Sequence, residues 1–202
     1  MSTRGVLYVA YGAKAVAEAT ASLDTLRAFH DWPVVCVGDG LPGTTRIPHP
    51  NRGKPGRWAK VNLDLLTPFD ETLFLDADTR VRGALDAGFG LLERGADIVL
   101  VPSRPQRHEA LRHLLPVERE TTLAEVVLDP LQLNTGVMWF HRARVAALFA
   151  TWRAEWERYQ DADQGALLRA LERVPVVLRL LGYPFNDARG QVIEHRFGKC
   201  SG

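Results

Sequence analysis

The chain has 202 residues, with 25 basic and 24 acidic side chains and a net charge of +1; its length suffices for one well-buried core and is too short for two. That balance, without any block of like charges, gives no reason to expect a nucleic-acid partner, and the two cysteines, Cys36 and Cys200, point to neither a disulfide framework nor a zinc cluster. No apolar run approaches the roughly eighteen residues of a membrane span, and Met1-Ser2-Thr3-Arg4-Gly5 leads into a strand without a secretory apolar stretch, so the expectation is a cytoplasmic domain.

Val6–Ala10 reads as a short strand, Tyr11-Gly12 as a tight turn and Ala13–Phe29 as an amphipathic helix. Trp32-Pro33 stops that helix, and Val34–Val37 predicts a second strand closed by Gly38-Asp39-Gly40, completing a βαβ unit with Cys36 as a small core residue. Leu41–Gly56 holds four of the twelve prolines and three glycines; it predicts a long irregular loop, of the kind that more often serves a site than nothing. Arg57–Leu66 predicts a helix with Trp58, Val61 and Leu65 on one face, delivering the chain through Pro68-Phe69 into the buried strand Thr72–Leu75.

That strand ends in Asp76-Ala77-Asp78. Carboxylates at i and i+2 on extended backbone point to one side, about 6.6 Å apart along the chain, and they repel unless a cation lies between them. The pair therefore reads as a divalent-metal site at the carboxyl edge of a sheet, or as a solvated strand end with Asp78-Thr79 opening a turn.

Further along, Leu85–Arg94 predicts a helix and Asp97–Val101 a buried strand ended by Pro102. Ser103–Pro130 is polar, basic and punctuated by proline, with a helical patch around Glu109–Leu115; it predicts a variable lid or insertion whose basic residues either meet an anion or form a solvated face. Leu133–Phe140 returns to strand character but carries Asn134, Thr135 and Gly136, which implies that something approaches the backbone there. Arg142–Tyr159 predicts an amphipathic helix whose stripe of Val145, Leu148, Phe149, Trp152 and Trp156 belongs to the core. A helix over Ala162–Arg173, a strand over Val174–Leu181 interrupted by Pro175, the segment Tyr183–Asn186 and a short strand Gln191–Glu194 complete the chain. His195 follows Val192-Ile193 at a strand end, whereas His30, His49, His108, His113 and His141 lack such context and read as surface or loop residues.

Four features thus occur in order: Asp76-x-Asp78 at a strand end, Asn134-Thr135-Gly136 in a strand, Asp163-Gln164 at a helix start, and a late His195 with Gly198 and Lys199. This order, from about Val6 to Lys199, resembles the retaining GT-A glycosyltransferases of the glycogenin and bacterial lipopolysaccharide galactosyltransferase type. The resemblance implies an α/β chain forming a single Rossmann-like GT-A domain over residues 1–202, with a mainly parallel central sheet flanked by helices and residues 102–132 as a variable acceptor-side insertion. It further implies transfer of a sugar from a nucleotide-diphospho-sugar, with UDP the favoured nucleotide, to a hydroxyl acceptor with retention of anomeric configuration.

Residue by residue, Asp76 and Asp78, with Ala77 between them, resemble the family's DxD pair, which holds Mn²⁺ or Mg²⁺ against the diphosphate. His195 resembles the third protein ligand, and a mixed carboxylate and imidazole shell favours Mn²⁺. Lys60 resembles the basic residue that contacts the donor, and Ala10 and Tyr11 resemble the residues that receive the nucleobase, Tyr11 by stacking. Asn134 and Gly136 resemble the donor-sugar and acceptor-side positions, Asp163 and Gln164 the pair lining the reacting carbon, and Gly198 and Lys199 the segment near the diphosphate. Two departures stand out: Lys199 is adjacent to Gly198, where the family sets its lysine two residues further on, and the acidic or amide residue often found near Ala10 is missing.

The residues also admit plainer readings. Asp161-x-x-Gln164 is a capping-box pattern, Asp163 suits the positive end of a helix dipole, Lys60 fits a solvated helix face and Tyr11 a turn aromatic. A nucleotide-sugar-binding protein without turnover would share the whole constellation. A DxD-type phosphotransferase would need Thr or Val where Arg80 stands and its motif near the amino terminus, and Tyr11-Gly12-Ala13-Lys14 is not the glycine-rich phosphate loop of a sugar nucleotidyltransferase.

Overall fold

Alternating burial of apolar side chains decides the architecture. In the computed structural model, which describes residues 2–49, 55–104, 111–126 and 131–198, the elements in chain order are β1 (Arg4–Ala10), α1 (Gly12–Arg27), β2 (Val34–Gly38), β3 (Thr45–Ile47), α2 (Pro55–Lys60), α3 (Leu63–Leu66), β4 (Glu71–Leu75), β5 (Thr79–Val81), α4 (Asp86–Glu93), β6 (Ile98–Pro102), α5 (Pro116–Glu125), β7 (Leu133–His141), α6 (Ala146–Glu157), α7 (Asp163–Arg173), β8 (Leu178–Leu180) and β9 (Ile193–His195). Val6, Tyr8 and Ala10 of β1, Leu73 and Leu75 of β4, and Val137 and Trp139 of β7 point into one core with α1 and α4. Their intervening neighbours Leu7, Phe74, Met138 and Phe140 point into a second core with α6 and α7. Strands apolar on both faces are what a sheet covered by helices on both sides requires.

The sheet runs β3-β2-β1-β4-β7-β6-β8. β7 is antiparallel to both of its neighbours, while the other pairings are parallel. This is the mixed α/β, mostly parallel sheet flanked by helices that the sequence leads one to expect. One consequence positions the site: β7 begins at the edge where β4 ends, because it runs the other way. A separate two-stranded sheet pairs β5 with β9 and sets Thr79 opposite His195.

The structure corrects several local expectations. The segment Leu41–Gly56 contains β3, which extends the sheet edge beside β2. The expected helix over Arg57–Leu66 is two short helices, because Asn62 leaves helical geometry at φ −113° and ψ 12° and its side chain donates to the Trp58 carbonyl at 2.7 Å; Leu65 is consequently 69% exposed. The helix expected from Arg142 begins at Ala146.

Within Ser103–Pro130 the described residues hold a ten-residue helix, α5, with Pro116 in its first turn, where the missing N–H costs nothing. Its buried face is polar. Glu118 and Thr122 meet Arg169 of α7, which is fully buried: Arg169 lies 2.8 Å from Glu155 of α6 and 3.3 Å from Glu118 and donates to Thr122 Oγ1 at 2.5 Å. Burial raises the Glu118 pKa against the pull of Arg169. For Glu155, burial opposes ionisation but hydrogen bonds from Arg169 and Arg158 outweigh it, and the pKa falls.

Arg169→Met would leave the buried Glu118 without its guanidinium partner, while Glu155 keeps Arg158 and Arg173. A loss of about 3–5 kcal/mol in urea denaturation is expected; a loss below about 1 kcal/mol would mean that α5 is held by other contacts.

Candidate active site

The chain converges on the carboxyl edge of β4. Asp76 N–H donates to the Gly136 carbonyl at 2.7 Å, extending the β4–β7 ladder by one bond. The turn that follows is locked from within, because Thr79 donates through its N–H at 3.2 Å and its hydroxyl at 2.8 Å to the Asp76 carbonyl. The β5–β9 pairing then carries His195 to Asp78, with the Arg196 N–H on the Asp78 carbonyl at 2.9 Å.

Asp76, Asp78 and His195 offer ligand atoms that all lie within 4.8 Å of one another. Asp78 and His195 are buried and Asp76 is partly open. His195 Nδ1 lies 2.7 Å from Asn186 Oδ1; a carbonyl oxygen only accepts, so Nδ1 carries the proton and Nε2 is the nitrogen turned toward the two carboxylates. Nε2 stands 3.1 Å from Asp78 Oδ1 and 3.8 Å from Asp76 Oδ2, a grouping that needs a proton or a metal ion between the electron-rich atoms. Two hard carboxylates and one imidazole fit a divalent ion of the Mn²⁺ type.

Gly136 is the floor under this group. A Cβ there would stand 2.3 Å from His195 Cε1 and 2.7 Å from Asp76 Oδ2, closer than any side chain tolerates. The glycine in β7 is therefore a steric requirement of the triad.

A row of opposite charges runs away from the triad. Lys60, 8% exposed, lies 3.0 Å from Asp76 Oδ1 and 3.6 Å from Asp163 Oδ2, and Arg57 stands 4.0 Å from Asp163 Oδ1. Burial alone would lower the Lys60 pKa, but Asp163 and Asp76 outweigh it and raise it. Burial would raise the pKa of Asp163; Lys60, the Thr135 hydroxyl that donates to Asp163 Oδ2, and Arg57 together lower it. Asp163 is pinned further by Trp152, whose indole N–H donates to its carbonyl at 2.7 Å. Its neighbour Gln164 accepts from Gln132 at 2.5 Å.

These residues line a cavity of about 700 Å³ with Tyr11, Lys60, Asp76, Ala77, Asp78, Asn134, Asp163, Gln164, His195 and Gly198 around it. Most of the sequence-predicted residues are thus brought together. Ala10 is not on the wall: it is 1% exposed, and Val9 and Ala15 take that place. Lys199 lies outside the described residues, as do His108 and Cys200. Asn134 turns its Oδ1 onto the Gly136 N–H at 2.9 Å, stiffening the strand entry.

Three contributors, Asn186, Arg57 and His49, escaped the sequence reading, and Thr135 stood out there only as a polar residue in a strand. Asn186 orients His195, Thr135 and Arg57 hold Asp163, and His49, read as a loop residue, lies 3.1 Å from the Tyr11 hydroxyl and 4.4 Å, ring to ring, from Trp58. Burial, with Asp39 and Cys36 adding, raises the Tyr11 pKa to about 12, so the phenol stays neutral. None of these pairs is close in sequence apart from Asn186 and His195, and only the latter, a polar residue nine positions before a candidate ligand, was open to suspicion.

No protein-family model and no curated protein matches the sequence. Solved structures do. Mouse xyloside xylosyltransferase 1 superposes over 98% of this chain and 99% of its own at 14% identity and a TM-score of 0.66. The galactosyltransferase LgtC, in complex with donor and acceptor sugar analogues, matches over 96% of this chain and 87% of its own at 14% identity and a TM-score of 0.63. GlyE, a glycosyltransferase of Streptococcus pneumoniae, matches over 97% of this chain but 55% of its own at 14% identity and a TM-score of 0.61. The chain has the GT-A glycosyltransferase fold. Within that fold the similar structures include the galactosyltransferase LgtC and a xylosyltransferase.

Two outcomes test the geometry. Gly136→Ala should weaken Mn²⁺ binding, followed by calorimetry or electron paramagnetic resonance, by about tenfold or more; unchanged affinity would show the triad tolerates a Cβ beneath it. Asp163, with its folded pKa below the unfolded value of about 3.9, stabilises the fold fully above that value and progressively less as the pH falls through the folded pKa. Asp163→Asn should therefore destabilise the protein in urea more at pH 7 than at pH 3, with the loss shrinking further as the pH falls; an equal loss at every pH would attribute the effect to packing.

Proposed function

We propose that the chain is a metal-dependent glycosyltransferase that moves a sugar from a nucleotide-diphospho-sugar, with UDP the favoured nucleotide, to a hydroxyl acceptor with retention of anomeric configuration, and that residues 1–202 act as one GT-A domain with 102–132 on its acceptor side. The observation that carries the reading is the Asp76, Asp78 and His195 cluster at the mouth of a carboxyl-edge cavity, where open α/β sheets bind their ligands. The LgtC neighbour, solved with donor and acceptor sugar analogues, supports it.

On this reading Asp76, Asp78 and His195 hold a divalent ion, which when bound offsets charge developing on the leaving diphosphate. The Lys60 ammonium, held 3.0 Å from Asp76, adds a fixed positive charge beside the same group. Tyr11 offers an apolar face for the base at the far end of the cavity. Asn134 and Gln164 line both this cavity and the one next to it, which suits them to flank the reacting carbon.

Asp163 is poorly suited to be a nucleophile, since its oxygens face Thr135, Lys60 and Arg57 and its pKa is lowered. Retention is better served by attack from the leaving group's side. The acceptor hydroxyl oxygen bonds to the anomeric carbon as the bond from that carbon to the diphosphate oxygen breaks, and the hydroxyl proton passes to the departing oxygen.

Calorimetric titration of UDP should give binding with Mn²⁺, none with EDTA, and at least tenfold weaker binding for Asp78→Ala, about 1.4 kcal/mol or more. Hydrolysis of a UDP-sugar in the presence of Mn²⁺ would separate a transferase from a protein that only binds its donor. Failure of UDP, GDP and ADP to bind under any condition would remove the donor reading.

A further inference from the structure

Next to the carboxyl-edge cavity lies a second one of about 760 Å³, and the two share Asn134, Gln164 and Phe197 as a common wall. Phe197 is 51% exposed and stacks on His195 with ring centroids 4.1 Å apart, so an aromatic face stands where the two spaces meet. A sugar ring placed against it would reach both.

The rest of the lining is largely basic. Arg104, Arg112 and Arg189 line it together with His113, against one carboxylate, Asp187, among the described lining residues. That carboxylate is already engaged: Arg104 donates to it at 3.3 Å through Nη2 and more closely through Nε, and the Arg189 backbone N–H donates to it at 2.9 Å. The Arg104 hydrogen bond, opposed by a smaller burial effect, lowers the Asp187 pKa, so Asp187 stays ionised, and among the described lining residues three guanidinium groups stand against this one carboxylate. Asn186 also lines the cavity, but its polar atoms are turned inward: Oδ1 faces His195 and Nδ2 is buried.

A neutral sugar would gain little from such a wall. Guanidinium forks match the oxyanion of a phosphate or carboxylate, and charge-assisted hydrogen bonds are about twice as strong as neutral ones. Basic groups around a concave space also raise the local concentration of an anion.

We propose that this second cavity binds a negatively charged acceptor, a sugar bearing a phosphate or carboxylate group, with the oxyanion against Arg112 and Arg189 and the accepting hydroxyl toward Asn134 and Gln164. The assignment of the sugar as acceptor rests on the donor reading of the neighbouring cavity. The charge preference of the cavity does not, and it is measurable without donor.

The test is an NMR titration of donor-free protein with glucose, glucose 6-phosphate and glucuronate, with UDP and Mn²⁺ binding measured in parallel. At least one charged sugar should bind about tenfold more tightly than glucose, and which one identifies the oxyanion. Arg112→Glu with Arg189→Glu should reduce that preference to threefold or less while UDP affinity stays within about twofold of the parent. Equal binding of the three sugars, or a preference that survives both reversals, overturns the proposal. A charge preference without UDP binding would keep the anion cavity and take away the donor reading.

Discussion

The Asp76 N–H bond to the Gly136 carbonyl, 2.7 Å long, is the constraint on which the rest of the site depends. It continues a ladder between β4, which ends at that edge, and β7, which begins there. A parallel neighbour would have placed its own carboxyl end beside Asp76; the reversed strand instead places Asn134, Thr135 and Gly136 there. Each of the three then has a separate task. Gly136 leaves room for the ligands, Thr135 fixes Asp163, and Asn134 braces the Gly136 N–H.

Such a site concentrates negative charge. Asp76, Asp78 and Asp163 all line one cavity, and the fold supplies Lys60 between Asp76 and Asp163 and Arg57 beside Asp163. Lys60 Nζ reaches both oxygens of Asp76, 3.0 Å from Oδ1 and 3.2 Å from Oδ2, whereas Asp78 Oδ1 faces His195 Nε2 at 3.1 Å. Asn186 orients the imidazole, because the bond to Nδ1 sets the tautomer that turns Nε2 toward the two carboxylates.

The broad plan was legible in the sequence because it rests on local chemistry. Doubly apolar runs announce strands covered on both faces, and residue types that disrupt a strand, as Asn134, Thr135 and Gly136 do, mark where function has displaced packing. What escaped was encoded at long range. The helix α5 hides from apolar periodicity because its buried face is Glu118 and Thr122, and only a fully buried Arg169 some fifty residues away makes that face stable. The role of His49 depends on Tyr11 and Trp58 reaching it across the sheet edge, and the break at Asn62 turns on one side-chain hydrogen bond that competes with the helix.

The helix α7 links these observations. Its first two residues, Asp163 and Gln164, face the carboxyl-edge cavity, and Arg169 lies less than two turns further on. Gly165 lies between them, where a Cβ would stand 2.9 Å from Glu118 Oε1 and from Leu114 Cδ1. The segment that carries Arg112 and α5 is therefore clamped directly onto the start of α7, by close contact at Gly165 and by an ion-pair network at Arg169. A buried ion pair contributes little net stability, but it penalises every arrangement that leaves a charge unpaired. The network thus fixes the distance between the basic wall of the second cavity and Gln164 in the wall shared with the first, and two chemically opposite spaces, one rich in carboxylates and one in guanidinium groups, meet at a fixed boundary.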